Sequence, residues 1–110
     1  MKILKRLFGR KQKQFILNLD RPRILKYDFY AIRTLVRALR IKDLKTLLDL
    51  DVSQIPTMAW AGMLWDDPQL TAQKVEKMFR DKIANDEYKL GQIAKVVIDA
   101  VADAYSGFEE

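Results

Sequence analysis

Residues 55–71, IPTMAWAGMLWDDPQLT, place two tryptophans and two methionines in a short amphipathic run that stops at an acidic turn. A chain of 110 residues has room for one modest core, which buries about 60 to 70% of the unfolded surface. Its bulkiest side chains must therefore either fill that core or form a sticky face for a partner helix. Pro56 suits the first turn of a helix, where a missing N–H costs little, and Ser53 is placed to cap it. On that helix Ile55, Met58, Ala59, Gly62 and Trp65 share one face, while Trp60, Met63 and Leu64 fall to its sides. The small residues Ala59, Ala61 and Gly62 would let another helix come close. This reading puts Trp65 in the core, together with Met58, and leaves Trp60 and Met63 as the more exposed pair.

The rest of the chain reads as one mainly α domain over 15–110, behind a basic extension over 1–14. Four glycines, three prolines and 49% apolar residues fit a folded, helix-rich protein. Ile3, Leu4, Leu7 and Phe8 could line one side of a short helix within the extension. KQFILNL and RILKY, separated by DRPR, predict a short N-terminal β-hairpin over about 14–27, with Pro22 in its turn. Asp28 caps a helix over about 28–40 whose buried face is Phe29, Ile32, Leu35, Val36 and Leu39. Further helices are expected over 43–50, 54–65, 71–84 and 86–106, four to five in all. Thr71 caps the fourth, with Lys74 where a capping-box glutamate would stand, and Val75, Met78, Phe79 and Ile83 form its buried stripe. The last carries Leu90, Ile93, Ala94, Val97, Val101 and Ala104 on one face, widened by Val96, Ile98 and Tyr105.

The chain contains neither histidine nor cysteine. Ser-His-Asp and Cys-His arrangements, disulfides and the usual zinc ligand sets are thereby excluded. The carboxylate pairs Asp49/Asp51 and Asp66/Asp67 read as turn and cap residues, and the glycines are too scattered for a phosphate loop. We therefore expect no enzyme, no cofactor, no metal and no small-molecule substrate. The N-terminus lacks a continuous apolar stretch, so neither a secretory signal nor a membrane anchor is expected.

Charge is segregated. Residues 1–45 carry fourteen Lys or Arg against three Asp, whereas residues 46–110 carry six against twelve Asp or Glu. One consequence would be head-to-tail pairing of copies. Another would be a nucleic-acid-binding module using Lys11, Lys13, Arg21, Arg23 and Arg33 against phosphates, although no base-reading motif accompanies them.

The succession of a hairpin ending in KYDFYAIRTLVRAL, then DLDVSQIPTMAWAGMLWDDPQLTAQKVEKMF, then IAKVVIDAVADAY resembles the small tail assembly chaperones of long-tailed bacteriophages and of related prophages and gene-transfer agents. The similarity runs from about Phe15 to Tyr105 and is most specific in AWAGMLWDDPQLTAQKV, where Met63 and Leu64 stand at or beside the family's leucine. The chain departs from the family in its longer basic segment and in RALRIK, where a glycine is usual. The resemblance implies a protein of the bacterial host's cytoplasm, absent from the mature virion. Such a protein binds the apolar-rich tape measure protein, keeps it soluble and leaves as tail tube subunits polymerise. A longer frameshifted form would recruit the tube protein. On this reading Trp60, Met63, Leu64, Val96 and Tyr105 would contact the client, and Ile98 and Val101 would serve in a homo-oligomer.

Overall fold

A computed structural model describes residues 14–41 and 51–109, with side chains up to residue 106. The helix expected over 43–50, the short helix within the extension, and Asp49, Lys11 and Lys13 lie outside these residues. Among the described residues the protein is mainly helical, with a two-stranded antiparallel hairpin at its start.

Strands β1 (Phe15–Asn18) and β2 (Pro22–Leu25) pair with Leu17 opposite Arg23 and Ile16 opposite Ile24. Alternation turns Leu17, Arg23 and Leu25 inward and leaves Ile16 on the outer face. Pro22 opens β2 rather than sitting in the turn. At the first position of an edge strand its missing N–H breaks no ladder bond.

Helix α1 (Phe29–Leu39) starts at Asp28, whose carboxylate accepts the Ala31 N–H at 2.8 Å, and buries Ala31, Ile32 and Leu35. Phe29, expected on the buried face, is 72% exposed. It is the first helical residue, and helical side chains tilt toward the N-terminus, which carries this ring beyond the edge of the core. The helix ends at Arg40 in the left-handed region (φ 54°), with the Ile41 N–H returning to the Val36 carbonyl. The arginine thus occupies a position that favours glycine.

A 3-10 turn over Val52–Gln54 leads into α2 (Ile55–Met63). Ser53 lies inside that turn and does not cap the helix. Its expected place is taken by the turn itself, where Gln54 Oε1 accepts the Asp51 N–H at 3.1 Å. Helix α2 buries Ile55, Met58, Ala59, Ala61, Gly62 and Met63, because α1, β2, α3 (Ala72–Ala84) and α4 (Leu90–Glu109) surround it. An apolar helix without a polar side suits the centre of a domain.

Thr71 caps α3 by accepting the Lys74 N–H at 3.2 Å, and Val75 and Phe79 enter the core. Met78 is half-buried and Ile83, past the core's edge, is exposed. Asp86, expected at the start of the last helix, instead ends α3 in the left-handed region (φ 59°), with the Glu87 N–H bonding the Lys82 carbonyl. Short polar side chains tolerate that conformation. The last helix therefore begins at Leu90, where Gln92 Oε1 accepts the Lys89 N–H at 2.8 Å. Ile93, Val97, Ala100 and Val101 form its buried seam, while Leu90 is exposed.

Between hairpin and α1, Tyr27 lies across α2. Its hydroxyl donates to the Met58 carbonyl at 2.6 Å, and burial pushes its pKa far above the ordinary phenol range. A Cβ on Gly62 would stand 2.6 Å from Tyr27 Cζ. The glycine expected to admit a helix thus admits an aromatic ring. Helix propensity alone would favour Gly62→Ala by about 1 kcal/mol. We expect the opposite, a net loss of roughly 1–3 kcal/mol in urea denaturation, since the ring is buried and a shift would break its hydrogen bond to the Met58 carbonyl. An unchanged or raised midpoint would show that the contact does not constrain the fold.

Candidate partner-binding surface

The hairpin is fixed to the rest of the domain by charge and by its edges. Arg23 is 4% exposed, and its guanidinium spans two carboxylates: Nε and Nη2 donate to Asp20 at 2.9 and 2.7 Å, and Nη1 to Asp67 at 3.1 Å. Arg21 donates to Asp66 at 2.7 Å. Arg23, one of the set read above as phosphate contacts, is thereby corrected to a buried partner of Asp20 and Asp67, whereas Arg21, paired with Asp66, stays exposed. Of that set, Arg33 is exposed on α1. The free edge of β1 is met by Tyr88, whose hydroxyl accepts the Asn18 N–H at 3.0 Å. That of β2 is met by Gly62, whose carbonyl accepts the Lys26 N–H at 2.9 Å, and by Trp65, whose indole N–H donates to the Ile24 carbonyl at 2.8 Å.

The two tryptophans exchange their expected environments. Trp60 is half-buried against the core and donates its indole N–H to the Leu70 carbonyl at 2.7 Å. Trp65 is 44% exposed, with Lys26 Nζ 4.1 Å from its ring centroid. Helix α2 ends at Met63, so Trp65 lies beyond the helical face on which it was counted. Because α1, β2, α3 and α4 all pack on α2, most residues off its main face are covered as well, and the side carrying Pro56, Thr57, Trp60 and Leu64 is half-buried. Met63 and Val101 accordingly sit in the core and offer no surface to a client or a second copy. Leu64, Val96, Ile98 and Tyr105 are half-buried, Val96 and Ile98 against the core.

The apolar side chains that do face solvent are different ones. Phe29 and Tyr30 are 72% and 68% exposed at the start of α1, and Ile16 and Trp65 border the hairpin. The Asp28 cap was the available signal, since it fixes the helix start and, at about 100° per residue, puts Phe29 and Tyr30 away from the sector of Ala31, Ile32 and Leu35. Among the described residues no buried side-chain polar atom lacks a hydrogen-bond partner, and no three His, Cys, Asp or Glu gather as metal ligands. No helix among them is long and apolar enough to cross a membrane.

Two measurements follow from this geometry. Trp60→Ala should destabilise the fold by roughly 2–4 kcal/mol, as a partly buried aromatic does. Trp65→Ala should cost about 1–2 kcal/mol, the scale of one hydrogen bond and one exposed cation–π contact. Equal losses in urea denaturation would contradict the two environments. Asp20 is held below the usual carboxylate range, chiefly by its hydrogen bonds from Arg23, with partial burial opposing. A depressed carboxyl contributes stability above its unfolded-state pKa and loses it as pH falls through the lower folded value. The urea midpoint should therefore decline as the pH drops below about 4, and Asp20→Asn should flatten that decline. An identical acid limb in both proteins would rule out this linkage.

No protein-family model, curated protein or solved structure matches the chain.

Proposed function

We propose that the chain is a non-enzymatic tail assembly chaperone of the long-tailed phage type, which binds an apolar-rich helical client, the tape measure protein, and keeps it soluble for tube assembly. The observation that carries the reading is the aromatic pair Phe29–Tyr30, the most exposed of the large apolar side chains among the described residues. Adjacent exposed aromatics suit a protein contact, since interface energy is concentrated in a few aromatic anchors. The hairpin-then-helices order is the architecture that the resemblance implies. The absence of histidine and cysteine from the sequence supports a role without catalysis. Engagement of Arg21 and Arg23 by carboxylates weighs against phosphate binding as the main activity. In this reading the protein works in the host cytoplasm and is left out of the mature virion. It self-associates through outer faces such as that around Ile98. A longer frameshifted form would recruit the tail tube protein.

Co-expression with the tape measure protein encoded nearest to it in the same genome provides the test. The client should become soluble and co-purify. Phe29→Ala combined with Tyr30→Ala should weaken capture by at least about tenfold, the scale of one anchoring aromatic. Each substitution should change folding stability by no more than about 0.5 kcal/mol. A client that stays insoluble, or full capture by the double variant, would overturn the reading.

A further inference from the structure

On the reading of the chain as a client-binding protein, we infer that the solvent face of α1 docks an acidic amphipathic helix. At 3.6 residues per turn, Phe29, Tyr30, Arg33 and Arg37 fall within a sector about 100° wide, opposite Ala31, Ile32 and Leu35. All four are exposed, and Arg40 continues the positive charge at the helix end. The helix carries no acidic residue after its cap.

Seven of the carboxylates among the described residues are paired with other cations. Asp20, Asp66 and Asp67 hold the hairpin arginines, while Glu76, Asp81, Glu87 and Asp99 pair with Arg80, Lys77, Lys82 and Lys95. Among the described residues no ion pair reaches Arg33, Arg37 or Arg40. A second copy docked two-fold through this face would set arginines against arginines and is a poor complement to it. A partner helix with Glu or Asp repeating at three- and four-residue spacing matches Arg33 and Arg37 as flanking charges match in paired helices. Its apolar seam would meet Phe29 and Tyr30. A single-stranded nucleic acid needs a basic track for its backbone, and the hairpin's Arg21 and Arg23 are held by carboxylates, which weighs against it as the partner.

The test uses the full chain and three fluorescent probes. Two are synthetic helices of roughly 20 residues, long enough to be helical in isolation. They share one leucine stripe, flanked by Glu in one and by Lys in the other. The third is a single-stranded oligonucleotide of the same net charge as the Glu helix. Anisotropy titrations should show the Glu helix binding roughly tenfold tighter than the Lys helix, and Arg33→Glu with Arg37→Glu should abolish or invert that preference. Far-UV circular dichroism and the urea midpoint of the variant verify its fold. Equal binding of both helices, or a preference that survives the double substitution, would overturn the inference. So would oligonucleotide binding that is tighter than that of the Glu helix and lost in the same variant. The client experiment separates the two conclusions. Failure of capture alongside an intact Glu preference removes the tape measure protein and keeps the surface. Capture undiminished by the arginine substitutions, with no Glu preference, removes the surface alone.

Discussion

A hairpin with four residues in each strand does not hold its own shape in water, and here the Arg23 fork supplies what it lacks. The guanidinium ties its own turn, through Asp20, to the turn that follows α2, through Asp67. A buried arginine is tolerable only when its donors are met, and three of its N–H bonds are accounted for by those two carboxylates. Once the turn is seated, the strand edges are closed by groups from elsewhere in the fold: Tyr88 for β1, and Gly62 and Trp65 for β2. Each closure removes an unpaired backbone group that would invite edge-to-edge association.

The same seating explains the composition of α2. The hairpin, α1, α3 and α4 all lie against it, which buries six of its nine residues and leaves little room for a hydrated charge. The ring of Tyr27 then needs a gap in the helix surface, which Gly62 provides, and its hydroxyl finds an acceptor in the Met58 carbonyl. The segment richest in large apolar residues is thus mostly the interior of the protein. The surface available to a partner is supplied by shorter, less conspicuous stretches.

Local chemistry was legible in the sequence, and long-range partnership was not. Asp28 and Thr71 cap the helices they precede because a cap depends on residues two or three positions away. The mainly helical fold and the hairpin followed from periodicity and turn residues. Asp86 was misplaced because a left-handed residue that ends one helix carries the same side chain as a cap that starts another. Trp60 and Trp65 were exchanged because a helical wheel assumes a continuing helix and one buried side, and α2 meets neither condition. Arg23 looked like a surface cation since its second partner, Asp67, is 44 residues away.

That pairing also changes what the segregated charge means. The basic first half and acidic second half are partly reconciled within one molecule, by Arg21 with Asp66 and Arg23 with Asp67. Among the described residues, Arg33 and Arg37 on α1 and Arg40 at its end have no ion-pair partner and lie on the helix that carries the exposed aromatics. A two-fold contact through this face would set arginines against arginines, which opposes self-association there. Aromatic side chains held among like charges can remain in solvent at high protein concentration without burying one another. A two-fold contact between copies must then use a different face, which leaves α1 open to a partner of opposite charge.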